Sequence, residues 1–248
     1  MKELLVIVPV FNEEKNLANL LESLSEPKIR SFADILIIND ASSDRTEAIA
    51  KSYNMPLITH VFNLGYGATL QVGYKYAVRN NYKYVIQIDG DGQHSVDNIA
   101  HIYRCLHSKD AEGNTPDIVI GSRFLAGSKA YKISAIKKLS ISYFSCLIKK
   151  KTGVLITDPT SGLQGLSRRA FKYYSQYGNF DCSYPDANMI IQMLLLGYRI
   201  KETTSVMYER KAGVSMHRGL IKQLIYMLTM PLSIWTVTVR IKKGLQKT

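Results

Sequence analysis

Short apolar runs and amphipathic stretches alternate along the first half of the chain. The apolar runs are rich in β-branched residues, as is typical of buried strands, and they lie at 4–8, 35–38, 57–61, 84–88 and 117–120. Apolar residues at helical spacing follow these runs, with Asn12 as the expected N-cap of the first helix and further helices at 46–53, 68–79 and 95–106. Repeated strand–helix units predict an α/β fold, in which a mostly parallel sheet carries helices on both faces.

The pattern changes in the second half of the chain. The sequence predicts a helix over 133–151, a strand over 163–167, a helix over 187–196 and a short strand near 204–207. The most apolar stretch, 224–239, is about long enough to cross a bilayer, but it contains Pro231 and is flanked by basic residues. We expect it to lie on a membrane as an amphipathic juxtamembrane helix, or as two helices bent at Pro231. A spanning helix and ordinary packing on the domain are the alternatives.

Composition and charge narrow the class of protein. With 248 residues, 46% of them apolar, the chain is neither a disordered protein nor a collagen-like repeat nor a small disulfide scaffold. Lys and Arg number 12 against 15 Asp and Glu before Ser128, but 20 against 5 from Ser128 onward. The strongly basic second half is expected to bind an anionic partner, which could be a nucleic acid, a phosphate-bearing substrate or a lipid leaflet. The three widely spaced cysteines are expected to be free thiols, and the N-terminal apolar run is too short for an export signal.

Polar residues collect where the predicted strands end. Asn39 and Asp40 follow the second strand, and Asp89, Asp91 and Gln93 follow the fourth. In an open α/β sheet, ligands bind at the carboxyl ends of the strands. Two carboxylates two residues apart, followed by an amide oxygen, are suited to one Mg²⁺ or Mn²⁺ ion that shares the oxygens of a diphosphate. The alternative is that Asp89 and Asp91 only cap the helix that follows.

Seven segments of the sequence occur in the order and at about the spacing seen in family 2 glycosyltransferases. They read IVPVFNEE, IINDASSDRT, NLGYGATLQVGYKYA, IQIDGDGQH, GSRFLAG, DPTSGLQGLSRRAF and YERKAGVSM. Within that family the chain resembles the dolichol-phosphate mannose synthases and the bacterial polyprenyl-phosphate glycosyltransferases. The resemblance covers nearly all of 4–216. It implies a GT-A fold and inverting transfer of a sugar from a UDP- or GDP-linked donor. We therefore expect a catalytic domain over 1–216, and the basic, apolar character of 217–248 predicts a segment that associates with a membrane.

The resemblance also assigns roles to single residues. It places the base and ribose of the donor against Pro9, Phe11, Glu13 and Asp40, and the nucleotide diphosphate beside Gly90 and Asp91. The divalent metal ion would be held by Asp89, Asp91 and Gln93. The phosphates of donor and acceptor would lie near Arg123 and Arg210.

The chemistry of the acceptor decides the role of Asp186. A hydroxyl acceptor needs a carboxylate base to remove its proton, and Asp186 lies where many relatives carry an acidic residue. A polyprenyl phosphate, such as undecaprenyl or dolichyl phosphate, attacks through an oxygen that is already ionised, so Asp186 would position a sugar hydroxyl instead. Asp186 is also placed to be the N-cap of the helix that starts at 187. A non-catalytic scaffold that binds nucleotide sugars is the alternative from another class of protein.

A lipid phosphate is the leading candidate for the acceptor. An enzyme with this acceptor is expected to act at the cytoplasmic face of the cell membrane, as a peripheral or monotopic protein. Its products would serve the synthesis of cell-envelope glycans or glycoconjugates. The basic second half would then attract anionic lipid headgroups. Nucleic acid is not expected, since the lysines lack the interleaved aromatic residues of a base-stacking surface. Many relatives carry two or more spanning helices at the C-terminus, and this chain shows one ambiguous segment, which leaves room for a small membrane protein as partner.

Overall fold

A computed structural model of the protein describes residues 2–129, 133–209 and 220–244. The strands in these ranges are β1 (Leu4–Val10), β2 (Ala33–Asn39), β3 (Leu57–Thr59), β4 (Tyr84–Gln87), β5 (Ile118–Ser122), β6 (Gln164–Ser167) and β7 (Ile200–Thr204). The helices are α1 (Leu17–Ser25), α2 (Pro27–Arg30), α3 (Thr46–Ser52), α4 (Tyr66–Arg79), α5 (Asp97–His107), α6 (Ala135–Thr152), α7 (Arg168–Ser175), α8 (Ala187–Leu195) and α9 (Leu220–Lys242).

The strands in the described parts of the chain form one sheet, in the order β3-β2-β1-β4-β6-β5-β7. The pairs β1–β2, β2–β3, β1–β4 and β5–β7 are parallel, whereas β6 runs antiparallel to both of its neighbours, β4 and β5. The predicted α/β fold with a mostly parallel sheet is therefore confirmed. The strand order reverses at β1, so a crevice opens between the carboxyl ends of β1 and β4, where ligands bind in such sheets.

Side chains of the central strands alternate between two apolar layers, because successive residues of a strand point to opposite faces of the sheet. Leu5 and Ile7 of β1 pack in the layer formed with α4, α6, α7, α8 and α9. Leu4, Val6 and Val8 pack in the other layer, with α1, α2, α3 and α5. The predicted inner face of the first helix is confirmed, since all four of its leucines are buried: Leu17, Leu20, Leu21 and Leu24. Both layers fix the strand ends that carry the polar residues.

Two local predictions were wrong. Asn12 does not cap a helix, because its backbone takes a left-handed conformation (φ 54°) and its Oδ1 accepts a hydrogen bond from the backbone N–H of Ser43 at 2.8 Å. Asn12 thus joins the loop after β1 to the loop after β2, and α1 begins only at Leu17. The final strand lies at Ile200–Thr204, where it pairs with β5, rather than at 204–207, where only isolated bridges form.

The C-terminal helix α9 continues through Pro231, so of the two forms considered for this stretch the single helix is found and the helix pair is not. One face of α9 is buried in the layer that also contains α8, through Tyr226, Met230 and Ile234. One of the alternatives predicted for 224–239 was ordinary packing on the domain, and this alternative is confirmed for the buried face of α9. None of the helices in the described parts of the chain combines the length and hydropathy needed to cross a bilayer.

Candidate functional site

The loops after β1 and β4 pack closely at the crevice, and a glycine makes this possible. A Cβ atom on Gly90 would lie 2.8 Å from the carbonyl oxygen of Pro9 and 2.5 Å from Cγ1 of Val10. Any side chain at this position would push the two loops apart. Gly90 therefore holds the flanking carboxylates, Asp89 and Asp91, against the end of β1.

The Asp89 carboxylate is fixed from two sides. The hydroxyl of Tyr66, the first residue of α4, donates a hydrogen bond to Asp89 Oδ1 at 2.8 Å. On the other side lies Gly162, where a Cβ atom would be 2.2 Å from Asp89 Oδ2. The Asp89 side chain is 29% exposed, so part of the carboxylate faces the crevice. Tyr66 lies in the segment NLGYGATLQVGYKYA, but no local pattern marks its contact with Asp89.

Asp91 shapes the loop that follows. Its Oδ1 accepts a hydrogen bond from the backbone N–H of Gln93 at 3.0 Å, and its side chain is half-buried. The helix α5 begins at Asp97, with Val96 as its N-cap residue. Asp89 and Asp91 therefore do not cap this helix, and the capping alternative for the two carboxylates is wrong.

These residues fit a divalent metal ion that takes few ligands from the protein. The amide nitrogen of Gln93 donates to the carbonyl oxygen of Tyr208 at 3.2 Å, so its Oε1 is the atom suited to metal binding. In the residues that the structure covers, no three His, Cys, Asp or Glu side chains form a metal-binding group. A pair of carboxylates with a neighbouring amide matches hard ions such as Mg²⁺ or Mn²⁺, which keep water and substrate phosphate in their coordination shell. The donor set therefore suits such an ion, and metal binding at these residues stays a prediction.

A buried histidine lies beneath the carboxylates. His94 is 4% exposed, and its Nε2 is 3.9 Å from Asp89 Oδ2. Burial lowers the pKa of His94 to about 4, and this outweighs the opposite effect of Asp91. The imidazole is therefore neutral at pH 7 and leaves the negative charge of the carboxylates available for a cation. The sequence contains no local signal for this role of His94, because burial beneath a loop leaves no pattern along the chain.

The residues predicted to hold the base and ribose differ in exposure. Phe11 is 46% exposed, whereas Glu13 and Asp40 are buried and Pro9 lies inside β1, paired with Ile38. Phe11 thus offers an open aromatic face, while the other three contribute mainly by shaping the loops. Their contacts with a nucleotide stay a prediction.

Asp40 organises the segment that leads into α4. Its Oδ1 accepts the backbone N–H of Leu64 at 2.8 Å, and its Oδ2 accepts that of Gly65 at 2.9 Å. The His60 Nδ1 lies 2.8 Å from the same Oδ1. Neighbouring Asn39 is fully buried, and its side-chain oxygen accepts the backbone N–H of Ser42. The Asp40 carboxylate thus orders the start of α4, which also carries the tyrosine that holds Asp89.

Arg123 is committed to a buried ion pair. Its Nε donates to Asp158 Oδ2 at 2.6 Å, one terminal nitrogen donates to Asp158 Oδ1 at 2.5 Å, and the same nitrogen donates to Thr160 Oγ1 at 2.8 Å. The charge of Arg123 nevertheless reaches the crevice, since it lowers the pKa of both His94 and Asp186. Contact between Arg123 and a phosphate stays a prediction. Arg210 lies outside the described residues.

Asp186 precedes α8 but does not cap it with its side chain. Its Oδ2 instead accepts a hydrogen bond from the hydroxyl of Tyr226 on α9 at 2.9 Å. Burial raises the pKa of Asp186 to about 6, and the charges of Asp181 and Asp89 act in the same direction. The two predicted functional carboxylates are therefore close enough for the charge of one to affect the pKa of the other. At pH 7 most of Asp186 is ionised.

Comparison with known proteins agrees with this geometry. The sequence model of the family described as Glycosyl transferase family 2 matches residues 5–175. A UDP-N-acetylglucosamine–dolichyl-phosphate N-acetylglucosaminyltransferase from Methanococcus voltae is 28% identical, over 71% of this chain and 73% of that protein. A polyprenol monophosphomannose synthase from Mycolicibacterium smegmatis is 26% identical, over 87% of this chain and 81% of that protein. The mannosyltransferase PcManGT from Pyrobaculum calidifontis, solved with GDP-Man and Mn²⁺, shares the fold, with a TM-score of 0.63 and 15% identity over 96% of this chain and 69% of that one.

Proposed function

The chain belongs to glycosyl transferase family 2, and from this premise we propose that it transfers a sugar from a UDP- or GDP-linked donor to a polyprenyl phosphate. The observation that carries the proposal is the pair Asp89 and Asp91 at the crevice between β1 and β4, where α/β sheets bind ligands. The acceptor is inferred from relatives named for dolichyl-phosphate and polyprenol substrates. A hydroxyl acceptor is the second candidate, because the half-buried Asp186 carboxylate is a suitable base for removing its proton.

The residues of the crevice suit the breaking of a sugar–phosphate bond. Negative charge develops on the departing diphosphate, and Mg²⁺ or Mn²⁺, when bound, neutralises that charge. Asp89, Asp91 and Gln93 would hold the ion, with Asp89 kept in place by Tyr66. Because His94 is neutral, no positively charged imidazole beside Asp89 would repel the metal ion.

The test of this proposal is a transfer assay with labelled product. The full-length protein is incubated with radiolabelled UDP- and GDP-sugars, Mn²⁺ or Mg²⁺ and undecaprenyl phosphate. We expect label to enter the organic phase in a product that mild acid cleaves. Transfer to a hydroxyl acceptor, with no labelled lipid phosphate, would establish the second candidate. Donor binding without transfer to either acceptor would indicate a non-catalytic scaffold.

Replacement of Asp186 by Asn separates the two acceptors. If the acceptor is a lipid phosphate, its oxygen is ionised at pH 7 and needs no base, so we expect D186N to retain a measurable rate, lowered by up to about a hundredfold. Transfer to a hydroxyl would lose about 10²–10⁴-fold with the base. Initial rates at saturating donor measure the difference. Asp110→Asn, an exposed carboxylate in the loop before β5, is the matched control and should leave the rate unchanged.

We also propose that the protein meets an anionic membrane through a surface formed by α6 and α9, here called the docking face. Large apolar side chains are exposed on both helices: Ile136, Leu139 and Tyr143 on α6, and Ile225, Leu228, Leu232 and Trp235 on α9. The two helices are neighbours, since the rings of Phe144 and Tyr226 pack edge to face at 5.5 Å. Basic residues end both helices: Lys149, Lys150 and Lys151 on α6, and Arg240 and Lys242 on α9. Apolar side chains beside lysines and arginines suit the interface of an anionic lipid leaflet.

Charge placed on the docking face is expected to release the protein from lipid. The double variant L232E/W235E removes two side chains that would each gain about 1.5–3 kcal/mol by burial, so binding to liposomes should fall at least about a hundredfold. Co-sedimentation with vesicles of phosphatidylglycerol and phosphatidylethanolamine measures this. Val61→Glu adds a charge on an exposed apolar side chain after the edge strand β3 and should bind as the unaltered protein does. Undiminished binding of the double variant would place the lipid contact elsewhere.

A further inference from the structure

The buried face of α9 reaches the loop that carries Asp186. Tyr226 donates its hydroxyl proton to Asp186 Oδ2 at 2.9 Å. Two turns further along α9, Ser233 donates to Asp181 Oδ2 at 3.2 Å and accepts from the side-chain amide of Asn188 at 2.8 Å. That amide also donates to Asp181 Oδ2 at 2.7 Å. Both ends of the segment that precedes α8 are thereby tied to the C-terminal helix.

The Tyr226 side chain is held in one place by its neighbours. Its ring packs edge to face against Phe144 of α6 at 5.5 Å and against Tyr184 of the Asp186 loop at 5.4 Å. The residue is 8% exposed. A phenol clamped between two rings presents its hydroxyl at a fixed point, so the carboxylate that bonds to it is restricted in rotation.

We propose that Tyr226 is a positioning residue, which orients the Asp186 carboxylate toward the crevice and keeps it ionised for sugar transfer. The inference rests on the proposed function in taking Asp186 as a participant in transfer. The buried face of α9 thus serves the reaction, while its exposed face belongs to the docking face. One helix would join the lipid surface to the catalytic carboxylate.

The electrostatics of Asp186 support this role. Burial raises its pKa, the hydrogen bond from Tyr226 lowers it, Asp181 and Asp89 raise it, and Arg123 lowers it. The charge of Asp186 also raises the pKa of the Tyr66 phenol, whose hydroxyl donates to Asp89. The Tyr226 bond is the largest of the effects that favour the ionised carboxylate. Loss of a hydrogen bond to a charged group is expected to shift the pKa of that group by about one to two pH units.

The test is the Tyr226→Phe variant, which removes the hydroxyl and keeps the ring. The Asp186 carboxyl is followed by ¹³C NMR in protein labelled at aspartate carboxyl carbons, with its signal assigned by its loss in D186N. We expect a midpoint near pH 6 in the unaltered protein and a rise of about one pH unit in Y226F. The acidic limb of the pH–rate profile should move by the same amount, with kcat lowered several-fold at pH 6.5 and KM for the donor unchanged.

Tyr173→Phe is the matched control. It removes a buried phenol hydroxyl that bonds to Gln192 on the same helix, α8, away from Asp186. If Y226F only loosens α8, both variants should lose rate alike and neither should shift the Asp186 midpoint, and that result would overturn the proposal. An unmoved midpoint in Y226F at full activity would overturn it too. Because the NMR titration needs no acceptor, it decides the role of Tyr226 even if the protein fails to glycosylate a polyprenyl phosphate.

Discussion

Alanine in place of Asp91 is expected to lower sugar transfer at least about a thousandfold. The variant removes one of the two carboxylates proposed to hold the divalent ion, and loss of several kcal/mol of charge stabilisation on the departing diphosphate accounts for a factor of this size. Nucleotide binding should lose its dependence on Mn²⁺ in the same variant. Initial rates and calorimetric titrations of UDP and GDP with and without Mn²⁺ measure the two effects.

Asp97→Ala is the control for this experiment. Asp97 is an exposed carboxylate in the first turn of α5, six residues away along the chain, and its partner is the surface lysine Lys28. The control removes the same charge from the same region and should retain full activity. Transfer by D91A at a rate close to that of the unaltered protein, with Mn²⁺-enhanced nucleotide binding intact, would refute the metal assignment.

Loss of the Asp158 carboxylate is expected to have the largest effect on stability. Asp158 is completely buried and accepts two side-chain hydrogen bonds from Arg123, whose side chain is 4% exposed. Asp158→Ala would leave a buried guanidinium without its counter-charge, which costs about 3–5 kcal/mol of the free energy of unfolding. For a domain of this size the melting temperature should fall by about 6–20 °C. Differential scanning calorimetry measures this change.

Two further variants identify the cause of that loss. Glu47→Ala breaks the surface pair with Lys51 on α3, which contributes only about 0.3–0.5 kcal/mol, so its melting temperature should barely change. The double variant R123M/D158L removes both buried charges and should recover a large part of the lost stability. A double variant as unstable as D158A would show that packing, rather than the unpaired charge, causes the loss.

Local sequence pattern was sufficient for most of the framework. The strands and the four buried leucines of α1 were predictable because residues that face the core are apolar. The spacing of those apolar residues along the chain then indicates whether the element is a strand or a helix. The short helices α2 and α7 were not predicted, since each is brief and α7 begins with two arginines. The last strand was predicted at the wrong residues because the position of β7 is set by its pairing with β5, a distant part of the chain.

The carboxylates of the candidate site were predictable from the sequence, but the residues that donate hydrogen bonds to them were not. Asp89 and Asp91 could be identified from the sequence because two carboxylates two residues apart, directly after a strand, are suited to binding a metal ion. Tyr66 and Tyr226, which donate to Asp89 and Asp186, lie 23 and 40 residues from those carboxylates and leave no local signal. The burial that raises the pKa of Asp186 likewise comes from several elements packed together.

The sequence by itself determined the alternation of strands and helices, the excess of positive charge from Ser128 onward and the carboxylates at the end of β4. Each of these depends on neighbouring residues along the chain. Only the tertiary structure decided that Arg123 pairs with Asp158, and that α9 turns one face to the Asp186 loop and the other outward. The physical reason is that burial and hydrogen bonding between remote residues depend on how the chain packs, and the folded arrangement alone brings those residues within bonding distance.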